Sequence, residues 1–325
     1  MHGNDIAQTS ATKSFAEINA DKFNLDRYYE AQDPRSYYSG LSELDYIIPQ
    51  VANPIFQQLV SARHALTGGV VKVLDVGASY GINGALLKYP ITWDMLRNRY
   101  QIAHAMGLSS EQLKLFDHHY YQAWPHRNGI EVLAQDISDP ALKFAEESGS
   151  IDRGFAINLE EEEPDSEMRK ALADVDLVIS TGSVGYISER TFDRIMRCIS
   201  YDHAPWVASF VLRMFPYDNI AEILSQHGLE TERFEGATFI QRRFANETEM
   251  EVVIEKLHEA GIATAGQEDL GYLHAELFVS RPKAATIKEP INQLVSVASG
   301  AQRLAAGVPA RAHGLMTGSY APTLC

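Results

Sequence analysis

The stretch VVKVLDVGASYGINGALL, Val70 to Leu87, constrains the fold more than any other part of this chain. An apolar run rich in valine ends at an acid, passes through Gly77 and Gly81, and continues into a helix-forming segment. A strand, a glycine turn and a helix in that order open the nucleotide-binding α/β units, which hold ligand at the carboxyl end of the strand. Two templates fail here. A dinucleotide fingerprint starting at Gly77 requires glycines at 79 and 82, where the chain has Ser79 and Ile82. A P-loop requires Gly-Lys-Ser/Thr, and Gly81 is followed by Ile82-Asn83. What remains is Asp75-x-Gly77-x-x-x-Gly81. Its glycines let backbone approach a ligand closely, and its acid suits an ammonium or a bound water better than a pyrophosphate. An amino-acid-bearing nucleoside meets that description.

The same alternation runs on. Short apolar segments at 70–77, 130–138, 153–159, 176–183 and 206–214 read as buried parallel strands. Helical patterns follow them at 83–88, 140–147, 189–199 and 220–227. This predicts an α/β fold: a doubly wound, mostly parallel, seven-stranded Rossmann-like sheet with ligand at the strand carboxyl ends. Two further strands, 237–244 and 272–282, flank a helix at 248–261 and are expected to close one edge antiparallel. The expected division is a helical N-terminal cap or lid over 1–66, a ligand-binding domain over 67–283 with a helical insertion at 91–128, and a C-terminal tail over 284–325.

Composition narrows the partners. A net charge of −15 without a Lys/Arg cluster argues against a nucleic-acid groove. No apolar run approaches the roughly 20 residues that cross a bilayer, and the first 25 residues lack the apolar core of a signal peptide. Two cysteines, Cys198 and Cys325, make neither a disulfide framework nor a metal cage. His118, His119 and His126 lack regular ligand spacing and an acidic partner, so no metal is expected. These features lead us to expect a cytoplasmic protein acting on a small molecule.

The glycine turn and the segments after it resemble the class I S-adenosylmethionine-dependent methyltransferases. That family carries Asp/Glu-x-Gly-x-Gly-x-Gly around the methionyl part of its cofactor; Gly77 and Gly81 match, and Ser79 replaces the middle glycine. The resemblance implies that Asp136, at the end of the second strand, binds ribose hydroxyls and that Ile137 lies against the adenine. It also implies that Asn158 and Leu159, ending the third strand, read the adenine edge. The fourth strand, ending near Ser180, then faces the transferring group. Each assignment has a plainer alternative: Asp75 as a strand-end cap, Asp136 as a cap for the helix from Pro140, and Asn158 as a strand terminator. The acid run 160–165 reads as a solvated loop.

Displacement at a sulfonium carbon needs alignment above all, and aromatic faces suit the cation. Tyr28, Tyr29, Tyr37 and Tyr38 in the cap, and Tyr186 after the fourth strand, are the candidates, with Ser180 on the fourth strand, and Tyr28, Tyr29 and Tyr186 are the ones expected to act. No histidine occurs in STGSVGYISER or LRMFPYD, which favours a nucleophile that needs little help from a base. The chain as a whole is similar to the azetidine-2-carboxylate synthases of bacterial secondary metabolism. That resemblance implies attack of the α-amine of S-adenosylmethionine on its own γ-carbon, releasing 5′-methylthioadenosine. The alternative is a small-molecule methyltransferase that releases S-adenosylhomocysteine.

Overall fold

The computed structural model describes residues 31–297; Tyr28 and Tyr29 lie outside the described residues. Five strands run parallel: β1 (Val71–Val76), β2 (Ile130–Asp136), β3 (Arg153–Ala156), β4 (Leu177–Thr181) and β5 (Trp206–Leu212). β6 (Leu229–Arg233), β7 (Phe239–Arg243) and β8 (Tyr272–Pro282) complete the sheet, with β8 antiparallel to β5, β6 and β7. The order is β3-β2-β1-β4-β5-β8-β6, with β7 also on β8. The chain winds outward from β1 to β3 and returns to β4 on the other flank of β1. This is the doubly wound, Rossmann-like arrangement of the class I methyltransferase fold, and it puts the switch point between β1 and β4.

The expected seven strands are eight. β8 is 11 residues long, and its two halves pair different partners along one edge. Phe278–Pro282 pair with β6, and Tyr272–Ala275 pair with β7. Eight strands therefore occupy seven positions across the sheet. β6, the strand that sequence reasoning omitted, reads Leu-Glu-Thr-Glu-Arg and buries only Leu229 fully, so it carries no apolar run to signal it.

Helices cover both faces. On one, α1 (Arg35–Glu43) leads into α2 (Ile48–Thr67), whose Ile55, Phe56 and Leu59 pack with Val73, Ile179, Phe210 and Leu277. The expected 1–66 cap therefore divides. Residues 48–67 are part of the sheet's cover, because α2 presents an apolar stripe to it. On the opposite face, α8 (Glu189–Met196) and α9 (Asp218–Gln226) put Phe192, Ile195, Ile220 and Leu224 against Leu74, Val178 and Val211. α3 (Ile82–Lys88), α6 (Asp139–Ser148), α7 (Ser166–Leu172) and α10 (Glu247–Glu259) complete the alternation. Side chains of Ser138, Asp165, Ser188 and Asn246 each accept a backbone N–H at the start of the helix that follows.

The insertion is two helices, α4 (Trp93–Ala105) and α5 (Ser110–Gln122), each opened by a side-chain cap from Thr92 or Ser109. With α1 they form an aromatic layer in which Tyr38 stacks on Trp93 and Tyr100 at 5.0 and 4.2 Å. The start of the expected tail is docked too. α11 (Lys283–Lys288) and α12 (Ile291–Leu294) bring Ile291 and Val295 into the core beneath α2, and Ser296 and Gln58 exchange hydrogen bonds. No helix among the described residues is long and apolar enough to cross a membrane.

Candidate functional site

The carboxyl ends of β1, β2 and β4 meet at the glycine turn. Gly77 takes φ +73 and Gly81 φ +72, values that L side chains rarely adopt. A Cβ added at Gly77 would stand 2.6 Å from Ser183 Cβ, and one at Gly81 would stand 2.6 Å from Ser150 Oγ. The first glycine thus lets the loop after β4 lie directly on the turn, and the second lets α3 start against the loop after α6. Ser79, in the place of the middle glycine, is itself left-handed at φ 49 and buried. Its backbone N–H donates to Asp136 Oδ2 at 2.8 Å, and that bond holds the unusual conformation.

Asp136 ends β2 and also accepts the Ser138 N–H on Oδ1 at 2.9 Å. Burial raises its pKa, against the pull of these backbone donors. Ser138, rather than Asp136, supplies the side-chain cap of α6. Asp136 is therefore free of the capping role considered for it, although it orders the turn. Ile137 stands 73 % exposed beside it, a large apolar side chain presented at the strand end.

Asp75 is wholly buried. Its Oδ1 accepts from Asn83 Nδ2 at 3.0 Å, and the same amide donates to Thr181 Oγ1 at 3.1 Å, tying β1, α3 and β4 together. Its Oδ2 has no partner among the described residues. Burial pushes the carboxyl up to about 7, with Asp136 adding to the rise and Asn83 opposing it. Asp75 is not alone in this deficit. Ser79 Oγ, Asn83 Oδ1, Gln135 Oε1, Ser180 Oγ and Ser183 Oγ are also buried with no partner among the described residues, and they lie at the carboxyl ends of β1, β2 and β4, in the turns that follow, or in the first turn of α3. Buried polar groups are ordinarily bonded, so a concentration of unmet ones marks the place where a polar ligand belongs.

The third-strand residues sit differently. Asn158 Oδ1 accepts the Glu160 N–H at 3.0 Å, and its backbone oxygen accepts from Glu161 and Glu162, so the residue shapes its own loop. The Leu159 side chain lies in the core with Met168 and Phe192, which leaves only its backbone to face a ligand. The acid run is not a solvated loop throughout. Glu160 accepts from Ser188 and Thr191 at the start of α8, and Glu163 pairs with Arg169, Arg194 and Arg197. Of the candidate aromatics, Tyr186 is 52 % exposed after β4, while Tyr37 and Tyr38 are buried in the aromatic layer.

Three residues that sequence reasoning missed also reach this end of the sheet. Tyr46, from the loop between α1 and α2, lies near enough to Asp75 for that carboxylate, after burial, to raise its pKa, while Arg242 lowers it. Gln241 of β7 lies on Gly182 just past β4. His274 of β8 lies just beyond the end of β5, its Nδ1 3.0 Å from Thr238 Oγ1 and its pKa lowered by burial and by Arg213. Among the described residues, no group of three or more His, Cys, Asp or Glu side chains is arranged to hold a metal.

A separate cleft of about 600 Å³ opens between α1 and α4, lined by Asp33, Arg35, Tyr38, Arg97, Tyr100 and His104. It adjoins the glycine turn through Ala31, whose carbonyl accepts from the Tyr80 hydroxyl at 2.7 Å. Arg97 Nε is the one cleft-lining atom in the unpartnered set, whereas six such atoms gather around the glycine turn, so the strand ends rather than this cleft are the candidate site.

The strand order defines a Rossmann-like α/β protein with a candidate ligand position at the β1/β4 switch point. No protein-family model matches the chain, and no curated protein matches it. Among solved structures it is similar to a TehB-like SAM-dependent methyltransferase of Corynebacterium glutamicum, at 16% identity and TM-score 0.34, covering 68% of this chain and 86% of that one. It is also similar to the magnesium protoporphyrin IX methyltransferase of Synechocystis with bound SAM, at 12% identity and TM-score 0.39, covering 84% and 99%. A third is the 4+2 cyclase SpnF, at 15% identity and TM-score 0.32, covering 70% and 80%. The strand order and register themselves define the fold.

Proposed function

We propose that this chain is an enzyme that binds S-adenosylmethionine at the carboxyl ends of β1, β2 and β4 and cyclises it to azetidine-2-carboxylate and 5′-methylthioadenosine. The observation that carries the binding reading is the set of buried, unpartnered polar atoms gathered there. Their chemistry fits this molecule. Asp75 Oδ2 and Asn83 Oδ1 are acceptors suited to an ammonium. Asp136, ordered by two backbone N–H groups, keeps further lone pairs for vicinal ribose hydroxyls. Ile137 offers an exposed apolar face for a purine, and we assign the Asn158–Leu159 backbone to the purine edge.

In the cyclisation the α-nitrogen lone pair forms a bond to the γ-carbon, and the γ-carbon–sulfur bond breaks with its electron pair passing to sulfur. The α-ammonium must first lose a proton. Its ordinary pKa is about 7.7–8.0. A carboxyl pushed up to about 7, buried with one oxygen open, is matched to take that proton. Asp75 thus supplies the base that the segments after β4 and β5 lack. In this reading Ser180, on β4, and Tyr186, in the loop after it, hold the methionyl chain bent, with nitrogen behind the γ-carbon.

Methyl transfer to a separate acceptor is the second reading, and His274 favours it. Burial and Arg213 keep this imidazole neutral at pH 7, and it lies beyond the end of β5, where an acceptor's proton could be taken. One experiment separates the two. Pure protein incubated with S-adenosylmethionine alone is expected to give azetidine-2-carboxylate and methylthioadenosine in equal amounts by mass spectrometry. S-adenosylhomocysteine formed only on adding an acceptor would establish methyl transfer instead.

A further inference from the structure

β7 carries one residue more than its partner. Ile240 pairs with His274 and Arg242 with Leu273, so Gln241 is the extra residue of a β-bulge. A bulge turns a side chain away from the regular alternation, and bulges beside active sites serve to aim one. Here the aim is toward the switch point. Gln241 is 4% exposed, and a Cβ built at Gly182 would stand 2.4 Å from Gln241 Nε2. The amide therefore lies on the backbone just past β4, next to Ser183, which rests on Gly77. The position is locked from outside: Gln241 O accepts the Ile47 N–H at 2.8 Å, and Leu44 O accepts the Arg243 N–H at 2.7 Å.

The unmet groups around this point divide by chemistry. Asp75 Oδ2 and Asn83 Oδ1 accept, whereas the Ser180 and Ser183 hydroxyls can donate. An α-amino-acid moiety needs both kinds, and its carboxylate needs several donors. The guanidinium of Arg242 does not supply them, because its two Nη atoms are held by Glu249 at 2.9 and 2.6 Å. We infer that Gln241 is a specificity-determining residue, its amide N–H donating with the serine hydroxyls to the carboxylate of the ligand's amino-acid end. This rests on the reading of the site as an S-adenosylmethionine site.

The test compares S-adenosylmethionine with decarboxylated S-adenosylmethionine by calorimetry on the full chain. Wild type should prefer the carboxylate-bearing ligand by about tenfold or more, the size of a hydrogen bond to a charged group. Gln241→Leu, close in volume, should lower that preference at least about fivefold, and Gln241→Glu should reverse it by setting a carboxylate against a carboxylate. A melting scan identifies a variant that fails to fold, and the other variant then carries the comparison. Equal weakening of both ligands, or an unchanged preference, would show that Gln241 is structural and overturn the inference. Wild type binding neither ligand would overturn the site reading along with it.

Discussion

Two buried aspartates near opposite ends of neighbouring strands show how this fold separates structure from function. Asp176, just before β4, uses both carboxylate oxygens: Oδ1 accepts from Arg63 Nη2 at 2.8 Å and Oδ2 from the Lys72 N–H at 3.0 Å. Asp75, at the carboxyl end of β1, has one oxygen on Asn83 and the other without a partner among the described residues. Asp117 in the insertion resembles Asp176, since Arg99 and Tyr100 donate to it at 2.7 and 2.8 Å. The acids that hold the chain together are paired. The acid at the switch point is held in place and left incomplete, which is costly to an empty protein and useful to one that binds a ligand.

That contrast is broken most forcefully by mutation. Asp176→Ala leaves Arg63 buried beside Trp206 without its carboxylate, and should cost about 3–5 kcal/mol in denaturant unfolding. Asp75→Asn should do the reverse. It removes a buried charge and so should keep or raise the melting temperature, while turnover of S-adenosylmethionine falls about 100-fold or more through loss of the base. If Asp75→Asn unfolds the protein and Asp176→Ala does not, the two roles have been assigned the wrong way round.

The pH dependence sharpens the same point. Asp75 titrates near 7 in the folded chain, well above the usual carboxyl value of about 3.9. The folded state therefore keeps a proton that the unfolded chain releases, and this stabilising contribution is lost as pH rises from about 4 to about 7. Wild type should melt lower at pH 8 than at pH 5, and Asp75→Asn should show a smaller difference. An equal difference in both proteins would place the titration elsewhere.

Much of this was legible in the chain, and the exceptions share a cause. β1 to β5 and the turn from Asp75 to Gly81 are local: apolar runs with an acid or a glycine at the end report themselves. Gln241, Tyr46 and His274 reach the site only because β7 and β8 pair antiparallel across the sheet and the loop before α2 is laced to β7. No local pattern encodes that meeting. The bulge that aims Gln241 depends on register with a strand some thirty residues later. The segments after β4 and β5 do not report two further groups at that end of the sheet, since β8 brings His274 there and burial raises the Asp75 carboxyl.

A smaller effect tests the turn itself. Ser79 sits at φ 49, where glycine carries no steric penalty, so Ser79→Gly should gain about 1 kcal/mol in stability if the Asp136 bond alone holds the strain. A loss would mean that the Ser79 side chain contributes packing that outweighs the strain.

The most direct test of the central claim, that the unmet polar groups at the strand ends are an S-adenosylmethionine site, is a calorimetric titration of that molecule into the full chain and into Asp136→Ala. One saturable site in wild type, weakened at least about tenfold in the variant through loss of charged hydrogen bonds to the ribose, is the expected result. No heat with S-adenosylmethionine alongside saturable binding of NADH would contradict it.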